Sequence, residues 1–195
     1  IKNSNPQKEV VVINTHFHWD HIWGNCSFAK SDIIAHELSR CKMDEVWESQ
    51  IQRNEKYVMG EIVKQLPNIT FSEKLSFLQE GIELFHSPGH TKDCISVFDH
   101  QEGILYVGDN LEKPLIYVED PDVTTYIATL KNYLAYKPKK IIASHTLEIT
   151  EADLINTIAY LEGLLMGKEM QFASEYEKQI HEQNLKVVGV PPCQL

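Results

Sequence analysis

The chain has 195 residues, 43% hydrophobic and 24% charged, with 18 basic against 28 acidic side chains and a net charge of −10. That size and composition build one domain, 1–195, around a sizeable core. The acid surplus, with no run of lysine or arginine, repels phosphate backbones and argues against a nucleic-acid partner.

In chain order, EVVVIN (9–14) is a continuous β-branched run, the pattern of a strand buried on both faces. DIIA (32–35) reads as a short second strand. From Met43 to Leu66 the apolar residues fall at 43, 46, 47, 51, 58, 59, 62, 63 and 66, helical spacing that Pro67 closes. ITF (69–71), LSFL (75–78), IELFH (82–86), CISVF (94–98) and GILYVG (103–108) are closely spaced strands and predict an antiparallel meander. Pro121 and Asp122 open a helix that ends near Pro138, and KIIAS (140–144) is one more strand. TEAD (150–153) has the capping-box form and starts a helix at Glu151 that runs to about Met166. Residues 168–184 are polar and helical, a solvated face or a homodimer contact. Helices covering packed sheets is the architecture implied. Cys26, Cys41, Cys94 and Cys193 form no CxxC pair and read as reduced thiols of a cytoplasmic protein. No apolar stretch is long enough to span a membrane, and no signal-peptide pattern opens the chain.

THFHWDH (15–21) follows the first strand. Strand residues alternate faces, so His16 and His18, two apart, can both reach one cation. Asp20 and His21 lie where the chain turns into a helix and can aim at a neighbouring point. Three further ligand types sit at strand ends: His90 in SPGH, Asp109 after ILYVG and His145 after KIIAS. Strand ends are where sheet proteins gather functional groups from distant positions. Five histidines and two aspartates are too many for one tetrahedral zinc and about right for two adjacent cations with one bridging carboxylate. The set has no thiolate; it suits Zn(II) and can accommodate Fe or Mn.

THFHWDH, SPGHT, GD and SH, in this order from about Glu9 to His145, closely resemble the metallo-β-lactamase-fold hydrolases. The resemblance implies an α+β fold, an αββα four-layer sandwich with the site at one edge between the sheets. It assigns His16, His18 and His90 to a first metal, Asp20, His21 and His145 to a second, and Asp109 to the bridge. It also implies a dinuclear hydrolase, with zinc as the expected metal, in which a shared hydroxide attacks an acyl bond (β-lactam, lactone or thioester) of a small molecule. Asp20, touching metal and water, is the catalytic residue expected to pass a proton to the leaving group. Two departures stand out. Only 15 residues precede His16, where the family has several strands, so the native protein is expected to be longer at its N-terminus. Only 50 residues follow His145, and they are acidic, unlike the basic helical domain of family members that process lactoylglutathione.

Other classes weigh less. A mononuclear-iron sulfur dioxygenase would use the equivalents of His16, His90 and Asp109 alone, whereas Asp20, His21 and His145 are also present. A phosphodiesterase or nuclease of the family carries an insert or basic exosite, and here only 36 positions separate Asp109 from His145. The di-iron branch that serves flavin proteins has Glu at the position of His18, and a degenerate scaffold would have lost ligands. His86, His100 and His181 read as packing or solvated residues, His36 as packing with a lesser chance of lining the rim, and Cys94 as a buried structural thiol. Phe17, Trp19 and Trp23 read as core before pocket wall.

Overall fold

The computed structural model describes residues 9–189, so Cys193 lies outside the described residues. The chain divides into two compact units at the Glu73–Lys74 junction.

The first unit carries a parallel three-stranded sheet, in the order β1 (Val11–Ile13), β2 (Asp32–His36), β3 (Ile69–Phe71). The central strand β2 buries Ile33, Ile34 and Ala35 in succession, as a parallel strand flanked on both sides must. The two-sided burial expected of residues 9–14 is not found there: Val12 and Ile13 are half-buried and Val11 is 46% exposed. Its physical reason is position, because β1 pairs with β2 alone among the described strands. Helix α1 (Trp19–Ile22) and a 3-10 turn (Trp23–Phe28) lead into β2, and α2 (Glu37–Arg53) leaves it.

The helix expected over Met43–Leu66 is thus displaced. It starts at Glu37, because the His36 ring accepts a hydrogen bond from Leu38 N and caps it. It stops at Asn54, whose N–H closes on the Gln50 and Ile51 carbonyls. Residues 58–68 form neither helix nor strand. Ile62 and Leu66 still pack on the buried Ile22, Met43 and Trp47, but from irregular chain, while Met59 and Val63 are exposed. Apolar spacing recorded which residues meet that cluster, not the backbone that carries them.

The second unit holds a five-stranded sheet, ordered β4 (Lys74–Phe77), β5 (Ile82–His86), β6 (Ile95–Asp99), β7 (Ile104–Tyr106) and β8 (Lys140–Ile142). The first four are an antiparallel meander; β8 returns parallel to β7 after helix α3 (Val123–Tyr136). The meander expected to begin at ITF begins one strand later. Ile69–Phe71 instead pairs parallel with β2, which the crossover through α2 makes possible. Phe85, Leu105, Tyr126, Leu130, Tyr133, Ile141, Leu154 and Leu161 are among the buried core of this unit. Helix α4 (Glu151–Leu165) starts on the Thr150–Asp153 capping box, as TEAD indicated. Helix α5 (Glu175–Val188) starts seven residues later than the polar segment expected to be helical and is not merely solvated, since Ile180 and Asn184 are each 1% exposed. No helix among the described residues is long and apolar enough to cross a membrane.

Burial pushes the Asp153 carboxyl up, but hydrogen bonds from Lys113 and Thr150 outweigh it and hold the group below its ordinary value. A depressed carboxylate contributes stability that is present above about pH 4 and is lost as the pH falls through the folded value. Thr150→Ala should cost about 1 kcal/mol in urea unfolding at pH 7. The stability gap between wild type and Asp153→Asn should shrink as the pH drops below about 4; a gap independent of pH would contradict the assignment.

Candidate metal centre

In the first unit, the strand β1 is followed by Asn14, which is buried and exchanges two 2.9 Å hydrogen bonds with the Asn25 amide. Asn14 also donates to the His21 carbonyl at 3.1 Å, tying the strand end to the helix that follows. The chain bends at residues 15–17, and His18, in extended backbone, is the N-cap of α1. The bend brings His16 Nε2 to 2.9 Å from His18 Nδ1. The helical turn brings the His21 ring within 4.2 Å of that of His16, centroid to centroid, and sets Asp20 Oδ2 3.5 Å from His21 Nε2. His16 is fully buried. The Thr15 hydroxyl lies 3.1 Å from His16 Nδ1 and 3.3 Å from His21 Nδ1, so it holds both rings by the nitrogens opposite Nε2.

In the second unit, His90 sits in the turn after β5. Its Nδ1 lies 2.9 Å from the Tyr117 carbonyl oxygen. A carbonyl only accepts, so Nδ1 carries the proton and Nε2 presents its lone pair, the state a metal-ligating imidazole needs. The turn is docked by Asn110: its Oδ1 accepts from His90 N at 2.8 Å, and its Nδ2 donates to the Ser87 carbonyl and the Tyr133 hydroxyl, both at 2.7 Å. Burial pushes the Tyr133 phenol up to about 12, so it remains protonated within this network, 2.6 Å from Ser96 Oγ. Asp109 follows Gly108, whose φ of +57° makes the bend at the end of this strand and suits glycine. Ser144 N donates to the Gly108 carbonyl at 3.1 Å, setting the ends of β7 and β8 side by side; His145 Nε2 is 3.3 Å from Asp109 Oδ2.

The structure therefore gathers His16, His18, Asp20 and His21 at one strand end of the first unit. It places Asp109 beside His145, with His90 docked on the residue after Asp109, in the second. The donors are imidazole nitrogens and carboxylate oxygens, the His16 and His18 rings lie at hydrogen-bond distance from each other, and Nδ1 of His16, His21 and His90 is anchored. That chemistry fits divalent Zn, Fe or Mn. Sequence reading missed Asn14, Thr15, Asn110 and Tyr117. The first three stand next to the motifs, as NTH and GDN, and adjacency was their only signal; Tyr117 gave none.

His36 is not a rim residue: its Nε2 donates to the Ser72 carbonyl at 2.8 Å and its Nδ1 caps α2. His86 Nε2 donates to the Lys92 carbonyl at 2.7 Å, a packing role as expected. His181, read as solvated, is half-buried and hydrogen-bonds Tyr160 through Nδ1 at 3.1 Å. Cys94 is buried, its thiol pushed far above the usual range by desolvation and held by Thr91, so it is a structural thiol.

The family model of the metallo-beta-lactamase superfamily matches residues 2–145. The chain belongs to that superfamily. Among curated proteins, a hydroxyacylglutathione hydrolase of Synechococcus sp. (strain JA-2-3B'a(2-13)) is 29% identical over 102 residues, 52% of this chain and 34% of the relative. The match thus spans about a third of that relative's length. Among solved structures, DIM-1 metallo-beta-lactamase is similar with a TM-score of 0.63 at 18% identity, covering 82% of this chain and 72% of the other. An archaeal metallo-beta-lactamase superfamily protein of Sulfolobus tokodaii gives 0.61 at 21% identity, over 94% of this chain and 81% of the other. These likenesses show the fold, which is the α+β metallo-β-lactamase type. The superfamily is typically one of hydrolytic metalloenzymes, and the His/Asp donors described above are its kind of ligand.

A Cβ added at Gly89 would stand 2.5 Å from Tyr126 Cδ2 and 2.6 Å from Asn110 Oδ1, both on fully buried residues. Gly89→Ala should therefore destabilise by about 1–3 kcal/mol, checked by denaturant titration. A variant of unchanged stability would refute the close-packed turn.

Proposed function

We propose that this superfamily member is a dinuclear metal-dependent hydrolase, zinc its metal, that cleaves an acyl-type bond of a small molecule. A thioester is the first choice. The observation that carries the reading is the set of seven nitrogen and oxygen donors, His16, His18, Asp20, His21, His90, Asp109 and His145, each in a segment that follows a strand and in the order of the family signature. The His90 Nδ1–Tyr117 bond supports it, because that bond leaves Nε2 as a ligand. The name of the curated relative supports a thioester.

In this reading, by the family pattern, His16, His18 and His90 would hold one cation and Asp20, His21 and His145 a second, with Asp109 a further carboxylate ligand. Cations bound there would supply Lewis-acid polarisation of the scissile carbonyl and a lowered pKa for the attacking water, from 15.7 to about 7. Thr15 and the Tyr117 carbonyl fix the rings of His16, His21 and His90, so the donors need little reorganisation. Asp20, whose side chain is 30% exposed, would take the proton of the attacking water and deliver it to the leaving group. The acid surplus fits a small substrate better than a polynucleotide. Cys26, Cys41 and Cys94 are free thiols, which suits the cytoplasm.

Metal analysis with a panel of thioester, lactone, β-lactam and phosphodiester substrates tests the reading. Two zincs per chain and thioester turnover are expected; one iron per chain with oxygen consumption would favour a sulfur dioxygenase instead. Asp109→Ala should lose cation and turnover together, and Asp20→Asn should lower turnover by roughly 10²-fold or more. Full activity in cation-free protein would end the proposal.

A further inference from the structure

We propose that helix α5 is a positioning element for His90 and that Asn184 is the residue through which it acts. The proposal rests on His90 being a metal ligand. Residues 112–122, which run past His90, contain no helix or strand, so their backbone groups find partners outside a ladder. Asn184 supplies two of them. Its Oδ1 accepts from Val118 N at 2.9 Å and its Nδ2 donates to the Ile116 carbonyl at 2.8 Å. The amide also donates to Tyr160 Oη at 3.0 Å. The residue it thereby straddles is Tyr117, whose carbonyl oxygen lies 2.9 Å from His90 Nδ1. Two further bonds tighten the clasp: Tyr117 Oη meets Tyr176 Oη in the first turn of α5 at 2.8 Å, and Glu119 N donates to the His90 carbonyl at 3.2 Å.

A buried asparagine on a polar helix, 66 and 68 positions from its partners, is costly unless every group is used, and here every group is. The consequence is specific. A hydrogen bond to the far nitrogen of an imidazole sets its tautomer, ring orientation and basicity as a ligand. Asn184 fixes the carbonyl that makes that bond. Without it the 116–118 segment loses its anchor on both sides of Tyr117, and the His90 ring loses its fixed acceptor.

The test uses the full chain and three variants. Asn184→Ala removes both bonds; Asn184→Asp keeps the acceptor for Val118 N and loses the donor, and stands in should the first fail to fold. Ile180→Ala is the control, because Ile180 is equally buried on the same helix but has no polar group to offer the 116–118 segment. The readouts are the His90 Nδ1–H resonance in nitrogen-15 NMR without metal, and zinc affinity by competition with a chromophoric chelator. Wild type should show a slowly exchanging Nδ1–H. The Asn184 variants should lose or shift it and bind zinc about tenfold more weakly, while Ile180→Ala lowers the melting temperature and leaves both readouts unchanged. An unchanged resonance in a folded Asn184 variant, an equal loss in Ile180→Ala, or no slowly exchanging Nδ1–H in wild type would overturn the proposal. If wild type binds no zinc, the hydrolase reading fails, while the resonance comparison still decides the role of Asn184.

Discussion

The closeness of Gly89 to the Tyr126 ring and the Asn110 amide is the constraint on which the placement of the second unit's candidate ligands depends. With no Cβ at residue 89, the turn after β5 drops onto the chain just past Asp109, and Asn110 takes hold of it with every polar atom of its side chain. His90 and Asp109, 19 positions apart in sequence, are thereby set by one buried amide. A larger residue at 89 would separate them, and no adjustment of a surface loop would restore the register, because Tyr126 and Asn110 are themselves fully buried.

The first unit solves the same problem by different means. There the candidate ligands lie within six positions, so the bend into α1 does the aiming: His16 Nε2 meets His18 Nδ1 at 2.9 Å, and one helical turn presents Asp20 and His21. The Asn14–Asn25 pair and the Thr15 hydroxyl hold this bend from behind. In both units the ligand types are backed by short polar side chains or carbonyls that act on the nitrogen facing away from the donor atom. Burying such groups is worthwhile only when their hydrogen-bonding capacity is used, and the networks around Asn110 and Asn184 use it.

The helical spacing from Met43 to Leu66 shows where a periodic pattern misleads. Residues 43, 47, 62 and 66 do share one apolar cluster, but the pattern cannot say that the second pair arrives on irregular chain after a stop at Asn54. The same holds for ITF: its strand character was readable and its partner was not, because parallel pairing with β2 depends on a crossover far from the strand itself. The polar tail likewise concealed a buried asparagine, since Asn184 is itself polar and gives no apolar mark of the inward face it shares with Ile180.

The sequence by itself determined which side chains are the candidates for the chemistry. Histidine and aspartate at strand ends, in a fixed order, are local features, and so are the TEAD cap and the Pro–Gly turn before His90. Only the tertiary structure decided what holds those side chains still: the carbonyl of Tyr117, the amide of Asn110 and, behind them, Asn184. Those contacts join residues 20 to 68 positions apart, and a hydrogen bond of that span is set by the packing of whole elements, which no local run of residues encodes.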